Sequence, residues 1–377
     1  MLKASRRQAL TGLFSSVALA GLGTTFIQDP ALAARSTRRT TAVNPDRLIA
    51  ANPTMLVQEK DFAYLRNNQD KLTAFLDRCA RELNYQPSPV QDLAPAPHYN
   101  ENGVNTSVSS GAIFSKDVRT AYRLAIRYRI TREKEYALNA LRIIDAWANT
   151  LTAVGTRQGE ADLNFNSPHM ILAAYWAQVC GEWDNQKFKN LLRNVVLPHT
   201  TSDRDNNHGF WGVLTEVCAA GYLGDKVLLQ KAKDRWETLL INGVDENGEM
   251  PLERDRSATS NWFGGPDKGK KGIAYTHYAL LPASHAAKIF VDLGLAAWAT
   301  PGGKKLEQAY GVAAKWTNDP TTFPYYESNN GQLDGIRDAA YFALLNRVYT
   351  NADAQKALAD GGLGSNGLQT LELFPTF

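Results

Sequence analysis

The chain has 377 residues, with 41 Lys and Arg against 38 Asp and Glu and a formal net charge of +3. Because positive and negative residues nearly balance, the chain has no general positive field that would attract a polyanion. We therefore expect no nucleic-acid partner, and an acidic partner would need a local cluster of positive charge. The three cysteines, Cys79, Cys180 and Cys218, lie among mostly apolar neighbours and show no CxxC or Cys/His ligand spacing. This pattern argues against a disulfide framework or a structural metal site.

The first 33 residues have the organisation of an export signal. A short basic start containing Arg6 and Arg7 is followed by an apolar run and by a small-residue site that ends at Ala33. The arginine pair is typical of twin-arginine signals, so we expect cleavage after Ala33, a periplasmic or secreted protein and no membrane contact after cleavage. Residues 34–53 are polar and are expected to form a linker or loosely ordered arm before a single domain over 54–377.

Helical periodicity dominates that domain. In residues 116–131 the apolar side chains of Val118, Tyr122 and Ala125 share one face, and arginines occupy the other. Further segments repeat this periodicity: 133–151, 168–180, 186–199, 209–224, 226–244, 274–298, 305–316 and 336–349. Short links rich in Gly, Asn, Asp and Pro join them, and alternating strands are nearly absent. We therefore predict an all-α fold, an incomplete α/α toroid of antiparallel helix hairpins whose loops surround a cleft for a long polymer.

One helix start carries more polar groups than capping requires. In DNNHGFWG, residues 205–212, Asn206 or Asn207 could serve as the helix N-cap, and one Asn suffices for that role. Assigning the cap to Asn206 leaves Asn207 and His208 for the cleft. An amide beside an imidazole can hold and neutralise a carboxylate.

A second group of candidates follows in PLERDR and AYTHYALL. Arg254 and Arg256 could each clamp a carboxylate with a bidentate guanidinium, and Tyr275 or Tyr278 could give and take a proton. Amide, imidazole, guanidinium and phenol together are the groups needed to eliminate a leaving group β to a uronate carboxylate. Catalytic roles are assigned to Asn207, His208, Arg256 and Tyr275.

Other side chains could bind the substrate without reacting. Asn166 and His169 lie in a helix start that could line the cleft, and tryptophans could stack on sugar rings. Lys270 belongs to a lysine-rich insert, residues 264–272, which is either a lid that attracts an acidic chain or a solvated loop. The candidate substrate-binding residues are Asn166, His169, Trp211, Arg254, Trp262, Lys270, His277 and Tyr278.

The motifs NNHGFW, GEMPLERDR and AYTHYALL resemble those of the alginate lyases of the α/α-barrel type, over about residues 110–297. The resemblance implies that Asn207 binds the uronate carboxylate, His208 neutralises it or acts as base, Arg256 positions it, and Tyr275 acts as acid and base. We also expect a monomer that acts on an acidic polysaccharide without metal or cofactor. The insert 257–272 departs from the family spacing, so the choices of Arg256 over Arg254 and of Tyr275 over Tyr278 stay open.

The function expected from these residues is cleavage of alginate or polymannuronate by β-elimination. Three alternatives remain on the same scaffold. The first is a lyase for glucuronan or another polyuronate, and the second is a non-catalytic acidic-glycan-binding protein. The third is a glycoside hydrolase, which needs two carboxylates across the cleft, and Asp162 and Glu253 could supply them.

Overall fold

A computed structural model describes residues 55–100, 103–104, 109–181, 183–258 and 264–364. All of these residues belong to one compact unit that spans Asn44–Phe377. The export signal, the arm before residue 54 and the candidate Trp262 lie outside the described residues, so those predictions stay predictions.

Helices make up most of the described chain. Their bounds are α1 Glu59–Asn67, α2 Thr73–Glu82, α3 Ser110–Thr131, α4 Lys134–Thr150, α5 Arg157–Ala177, α6 Gln186–Leu191, α7 Asn207–Leu223, α8 Lys226–Gly243, α9 Pro251–Arg254, α10 Gly272–Asp292, α11 Pro301–Asn318, α12 Phe342–Leu345 and α13 Ala352–Ala359. Two short strands, β1 Tyr99–Asn100 and β2 Gly103–Val104, pair antiparallel.

The long helices form two layers. In the inner layer α3 packs on α5, α5 on α7, and α7 on α10. Each inner helix also packs against an outer one, as in the pairs α3 with α4, α7 with α8 and α10 with α11. This alternation of inner and outer helices confirms the prediction of an all-α fold built as an α/α toroid of helix hairpins.

The joint between α7 and α8 shows why the chain turns back so sharply. Gly224 ends α7 in the left-handed conformation with φ 69°, which glycine adopts without steric cost. The next residue, Asp225, caps α8 by accepting hydrogen bonds from the main-chain N–H groups of Val227 and Leu228, both at 3.0 Å. Two residues therefore end one helix, start the next and make an antiparallel hairpin.

Three inner helices meet around the side chain of Phe165. The Phe165 ring on α5 lies 5.2 Å from the His208 ring and 5.6 Å from the Trp211 ring, both on α7. It also lies 5.3 Å from the Tyr278 ring on α10. Side chains from the first two turns of α7 and α10 thus meet around one aromatic ring from the middle of α5, and this places the predicted site.

Two further observations concern the described residues only. No helix among them is long and apolar enough to span a membrane. No disulfide joins their three cysteines, of which Cys79 and Cys218 are buried and Cys180 is partly buried.

Candidate active site

The start of α7 confirms that Asn206 is its N-cap. Its side-chain oxygen accepts a hydrogen bond from the main-chain N–H of His208 at 3.1 Å. The two glycines that follow let the preceding loop lie directly on the helix. A Cβ at Gly209 would be 1.9 Å from the carbonyl oxygen of Arg204, and one at Gly212 would be 2.2 Å from the amide nitrogen of Ser202. The glycines therefore hold Arg204 beside His208, with 3.4 Å between Arg204 Nη1 and His208 Nδ1.

We expect Gly209→Ala to lower the free energy of unfolding by about 1–3 kcal/mol, because the new methyl group must displace the loop backbone. The same displacement moves Arg204 away from His208, so activity should fall as well. Gly243→Ala on α8 is the control, since its added Cβ meets no atom within 4 Å. Denaturant unfolding of both variants checks the first expectation, and equal stability would contradict the close approach.

The side chain of Asn207 is turned toward the interior. It is fully buried, and its amide Nδ2 donates to Glu253 Oε2 at 2.9 Å. Its main-chain N–H donates to Glu253 Oε1 at 2.6 Å. The sequence predicts that Asn207 faces the cleft, whereas the structure ties it to a buried carboxyl from α9.

The structure brings Arg256 and Tyr275 together, although 18 residues separate them in the chain. The Arg256 guanidinium carbon lies 4.4 Å from the centre of the Tyr275 ring, and Arg256 is 5% exposed. The main-chain N–H of Lys271 donates to the carbonyl of Arg256 at 3.1 Å, so the insert returns to the point where it leaves. This geometry favours Arg256 and Tyr275 as the reacting pair.

Arg254 lies outside this pair. Its guanidinium forms ion pairs with Glu249 and Asp255, and these carboxylates hold its pKa above the usual range despite desolvation. With its charge paired in this way, Arg254 is a poorer candidate than Arg256 for binding a substrate carboxylate.

The electrostatics around His208 keep its imidazole neutral. Burial and, to a smaller extent, the positive charges of Arg204, Arg256 and Arg157 together lower the pKa of His208 to about 3. Three guanidinium groups therefore act on this imidazole. A neutral imidazole surrounded by guanidinium groups can bind an anion and can accept a proton.

Tyr278 and Trp211 form an aromatic wall behind Tyr275. Their ring centres lie 5.2 Å apart, and the rings of Tyr275 and Tyr278 lie 6.4 Å apart. Burial raises the pKa of Tyr278 well above its ordinary value. The Trp211 ring is itself buried, so it packs against the site more than it offers an open stacking surface.

Three predicted binding residues lie deeper in the helices. The ring nitrogens of His277 interact with the Tyr341 hydroxyl at 3.0 Å and with the carbonyl of Ile336 at 3.2 Å, so the structure does not bring His277 to the cluster. The Asn166 amide donates to the carbonyl of Asp162 at 2.7 Å. The buried His169 ring packs edge-on against Tyr122, with burial lowering its pKa to about 3.

The described part of the lysine-rich insert is anchored to a later segment. Lys268 Nζ lies 3.1 Å from Asp255 Oδ2, and the Asn329 amide donates to the carbonyl of Lys268 at 2.9 Å. The carbonyl of Lys270 accepts the main-chain N–H of Asp334 at 2.9 Å. These contacts hold residues 264–271 in place, which argues against a mobile lid for this part of the insert.

Sequence reasoning missed the guanidinium groups of Arg204 and Arg157 and the placement of Glu253. Arg204 directly precedes DNNHGFWG in the chain, and this position was the signal that could have found it. Glu253 was a candidate hydrolase acid, but both of its oxygens accept hydrogen bonds from Asn207 inside the protein. Within the described residues, no group of three His, Cys, Asp or Glu side chains could hold a metal ion.

Fold and site together define a class of protein. An α/α toroid gathers arginines, a neutral imidazole and a phenol near the starts of α7 and α10, and these are the groups for carboxylate neutralisation and proton transfer. This combination is that of a polysaccharide lyase. The family model described as Alginate lyase matches residues 67–323, and the chain belongs to that family.

Solved structures of alginate lyases share the fold. An alginate lyase from Bacteroides ovatus has a TM-score of 0.65 and 14% identity, with 86% of this chain and 99% of that chain covered. Alginate lyase A1-III from Sphingomonas species A1 has a TM-score of 0.62 and 17% identity, with coverage of 82% and 92%. A variant of alginate lyase A1-III complexed with tetrasaccharide has a TM-score of 0.66 and 16% identity, with coverage of 88% and 98%. Among curated protein sequences, none matches this chain.

Proposed function

We propose that the protein cleaves alginate, and polymannuronate in particular, by β-elimination. The observation that carries the proposal is the contact of the Arg256 guanidinium with the Tyr275 ring, beside the neutral imidazole of His208. A uronate polymer supplies the carboxylate that this positive cluster needs. The relative that is complexed with tetrasaccharide supports a saccharide as ligand.

In the proposed reaction, Arg256 and His208 bind the carboxylate of the uronate at the cleavage point, with Arg204 adding positive charge behind His208. Reducing the negative charge of that carboxylate acidifies the proton on C5, because the developing carbanion is then stabilised by resonance into the carboxyl group. Asn207 supports His208 from the interior.

Proton transfer then completes the elimination. A base, either His208 or the phenolate of Tyr275, removes the C5 proton. The electron pair of the broken C5–H bond then forms the C4=C5 double bond. The C4–O bond breaks, and the leaving glycosidic oxygen takes a proton from the Tyr275 hydroxyl. The positive charge of Arg256 stabilises the phenolate that Tyr275 becomes when it gives up its proton.

Two carboxylates facing across a cleft would favour hydrolysis instead, but Glu253 is unsuited to that role. It is 1% exposed, and Asn207 occupies both of its oxygens. Asp162, whose pKa burial raises to about 6, is then left without a catalytic partner. The elimination mechanism uses the groups that the site does present.

A panel of polymers tests the proposal. We expect ultraviolet absorbance from the new C4=C5 bond to grow with alginate and fastest with polymannuronate, and slowly or not at all with polyguluronate and glucuronan. Neutral polymers such as cellulose derivatives are the control, because they lack the carboxylate. If none of the four uronate polymers released unsaturated ends, the proposal would be contradicted. A preference for glucuronan would make glucuronan, and not alginate, the substrate.

We further propose that the protein is exported through its twin-arginine signal and acts in the periplasm or outside the cell. The pattern of Arg6, Arg7 and a small-residue site at Ala33 supports this. A monomer, free of the membrane once the signal is removed, is the form in which we expect it to act.

A further inference from the structure

Glu253 connects the two elements that supply the carboxylate-binding groups. It lies on α9, just before Arg256, and reaches the first residue of α7, just before His208. Its two oxygens accept from the main-chain N–H and the side-chain amide of Asn207, at 2.6 and 2.9 Å. One buried carboxyl thus fixes the start of α7 against the segment that carries Arg256.

The charge that acts on Glu253 is that of Arg256, on its own segment, and Asn207 of α7 donates the hydrogen bonds to it. The Arg256 charge also acts on His208 of α7 and lies over the Tyr275 ring of α10. Burial raises the pKa of Glu253 to about 7, and the charge of Arg256 and the hydrogen bonds from Asn207 oppose that rise. His208, with a pKa of about 3, stays neutral in the same range.

We propose that Glu253 is a positioning residue that holds His208 and Arg256 on one uronate carboxylate, and that its charge sets how tightly the site binds that carboxylate. This role rests on the proposed function, since it assumes a uronate ligand. Glu253 is 1% exposed and does not touch the substrate itself.

The direction of the pH dependence follows from the charges. Ionised Glu253 cancels part of the positive potential of Arg256, whereas protonated Glu253 leaves the site more positive by one charge. A bound uronate carboxylate therefore favours protonated Glu253, and the affinity should fall as the pH rises through about 7. The uronate carboxylates of the ligand stay ionised throughout this range, so they add no slope of their own.

The test measures binding without turnover. In protein carrying Tyr275→Phe, calorimetric titration with a polymannuronate oligosaccharide is run at pH 6 and pH 8. With Glu253 present, we expect the Kd to be several-fold weaker at pH 8. With Glu253→Gln added, we expect one Kd at both pH values, close to the pH 6 value of the first protein. The Gln side chain can still make two hydrogen bonds to Asn207. Its oxygen accepts from the main-chain N–H, and its amide donates to Asn207 Oδ1, a buried atom without a partner, once the Asn207 amide is flipped.

Two outcomes would overturn the role. An equal pH slope with Glu and with Gln would show that the charge of Glu253 does not set the affinity. Absence of binding at both pH values would reject the uronate ligand, and with it this role. Weak but pH-dependent binding only in the presence of Glu253 would support the role and leave the preferred polymer to the substrate panel.

Two further variants separate positioning from general stability. Glu253→Ala in the otherwise active protein removes both acceptors, and we expect kcat to fall more than tenfold, with Glu253→Gln restoring most of it. The matched control is Asp117→Asn, which changes a buried carboxyl on α3 that accepts from the main-chain N–H of Ser88 at 2.8 Å and from the Trp147 indole at 2.9 Å. It should lower the melting temperature but keep the pH slope of binding. Equal kcat in the Ala and Gln variants would contradict positioning.

Discussion

Replacing Tyr275 by Phe is expected to lower kcat by about 10³-fold, because it removes the group that protonates the leaving oxygen. The ring that contacts Arg256 remains, with its centre 4.4 Å from the guanidinium carbon in the native protein, so substrate binding should change little. The expected signature is a loss in kcat with KM within a few-fold. The rate of appearance of unsaturated ends on polymannuronate measures both constants.

Tyr310→Phe is the matched control for this change. Tyr310 is a buried phenol on α11 whose hydroxyl has no hydrogen-bond partner among the described residues, and it lies in the outer layer. Its removal should leave kcat at the native value. Turnover that survives Tyr275→Phe but disappears in Tyr278→Phe would assign the acid to Tyr278 and contradict the proposed mechanism.

The fold could be predicted from the sequence because its main signals are local. The apolar faces of α3 and α7 and the Gly224–Asp225 joint each depend on residues within one or two helical turns. The cap at Asn206 belongs to the same class, since a side chain that bonds its own helix start needs no distant partner. Such features survive folding because tertiary packing reinforces them.

The direction of Asn207 could not be predicted, since its partner Glu253 lies 46 residues away in the chain. The choice of Arg256 over Arg254 depends likewise on how the insert closes, through the hydrogen bond between Lys271 and Arg256. Local patterns contain no information about either contact. These are long-range contacts, and only the packing of α9 against α7 and α10 produces them.

His277 is a different case, because the helical period already contained the answer. Residues three apart on a helix share a face, so Tyr275 and Tyr278 lie together, whereas a residue two positions after Tyr275 points to another side. The structure places the His277 ring there, against Tyr341 and Thr317 on the far side of α10. Helical spacing alone therefore separates His277 from the site.

Arg256 carries the second large expected effect. Arg256→Met should lower kcat/KM by about 10³-fold, because it removes both the charge that holds the uronate carboxylate and the charge that stabilises the Tyr275 phenolate. Arg256→Lys keeps a charge but loses the planar group over the ring, so a loss of about 10²-fold is expected. Steady-state kinetics on polymannuronate rank the two variants.

The protein should still fold in the absence of that charge. The positive charge of Arg256 lowers the pKa of Glu253 from the value that burial alone would give, so removing it raises that pKa above about 7. Glu253 then stays protonated at neutral pH, and no uncompensated negative charge is left in the interior. A native-like circular dichroism spectrum checks this point.

Arg254→Met is the control that decides between the two arginines. It breaks the ion pairs with Glu249 and Asp255 but leaves the contact between Arg256 and Tyr275 in place. Its kcat/KM should stay within a few-fold of the native value. A larger loss in Arg254→Met than in Arg256→Met would make Arg254 the carboxylate-binding guanidinium. The ring contact with Tyr275 would then be packing alone, because one guanidinium has to serve both the carboxylate and the phenolate in the proposed elimination.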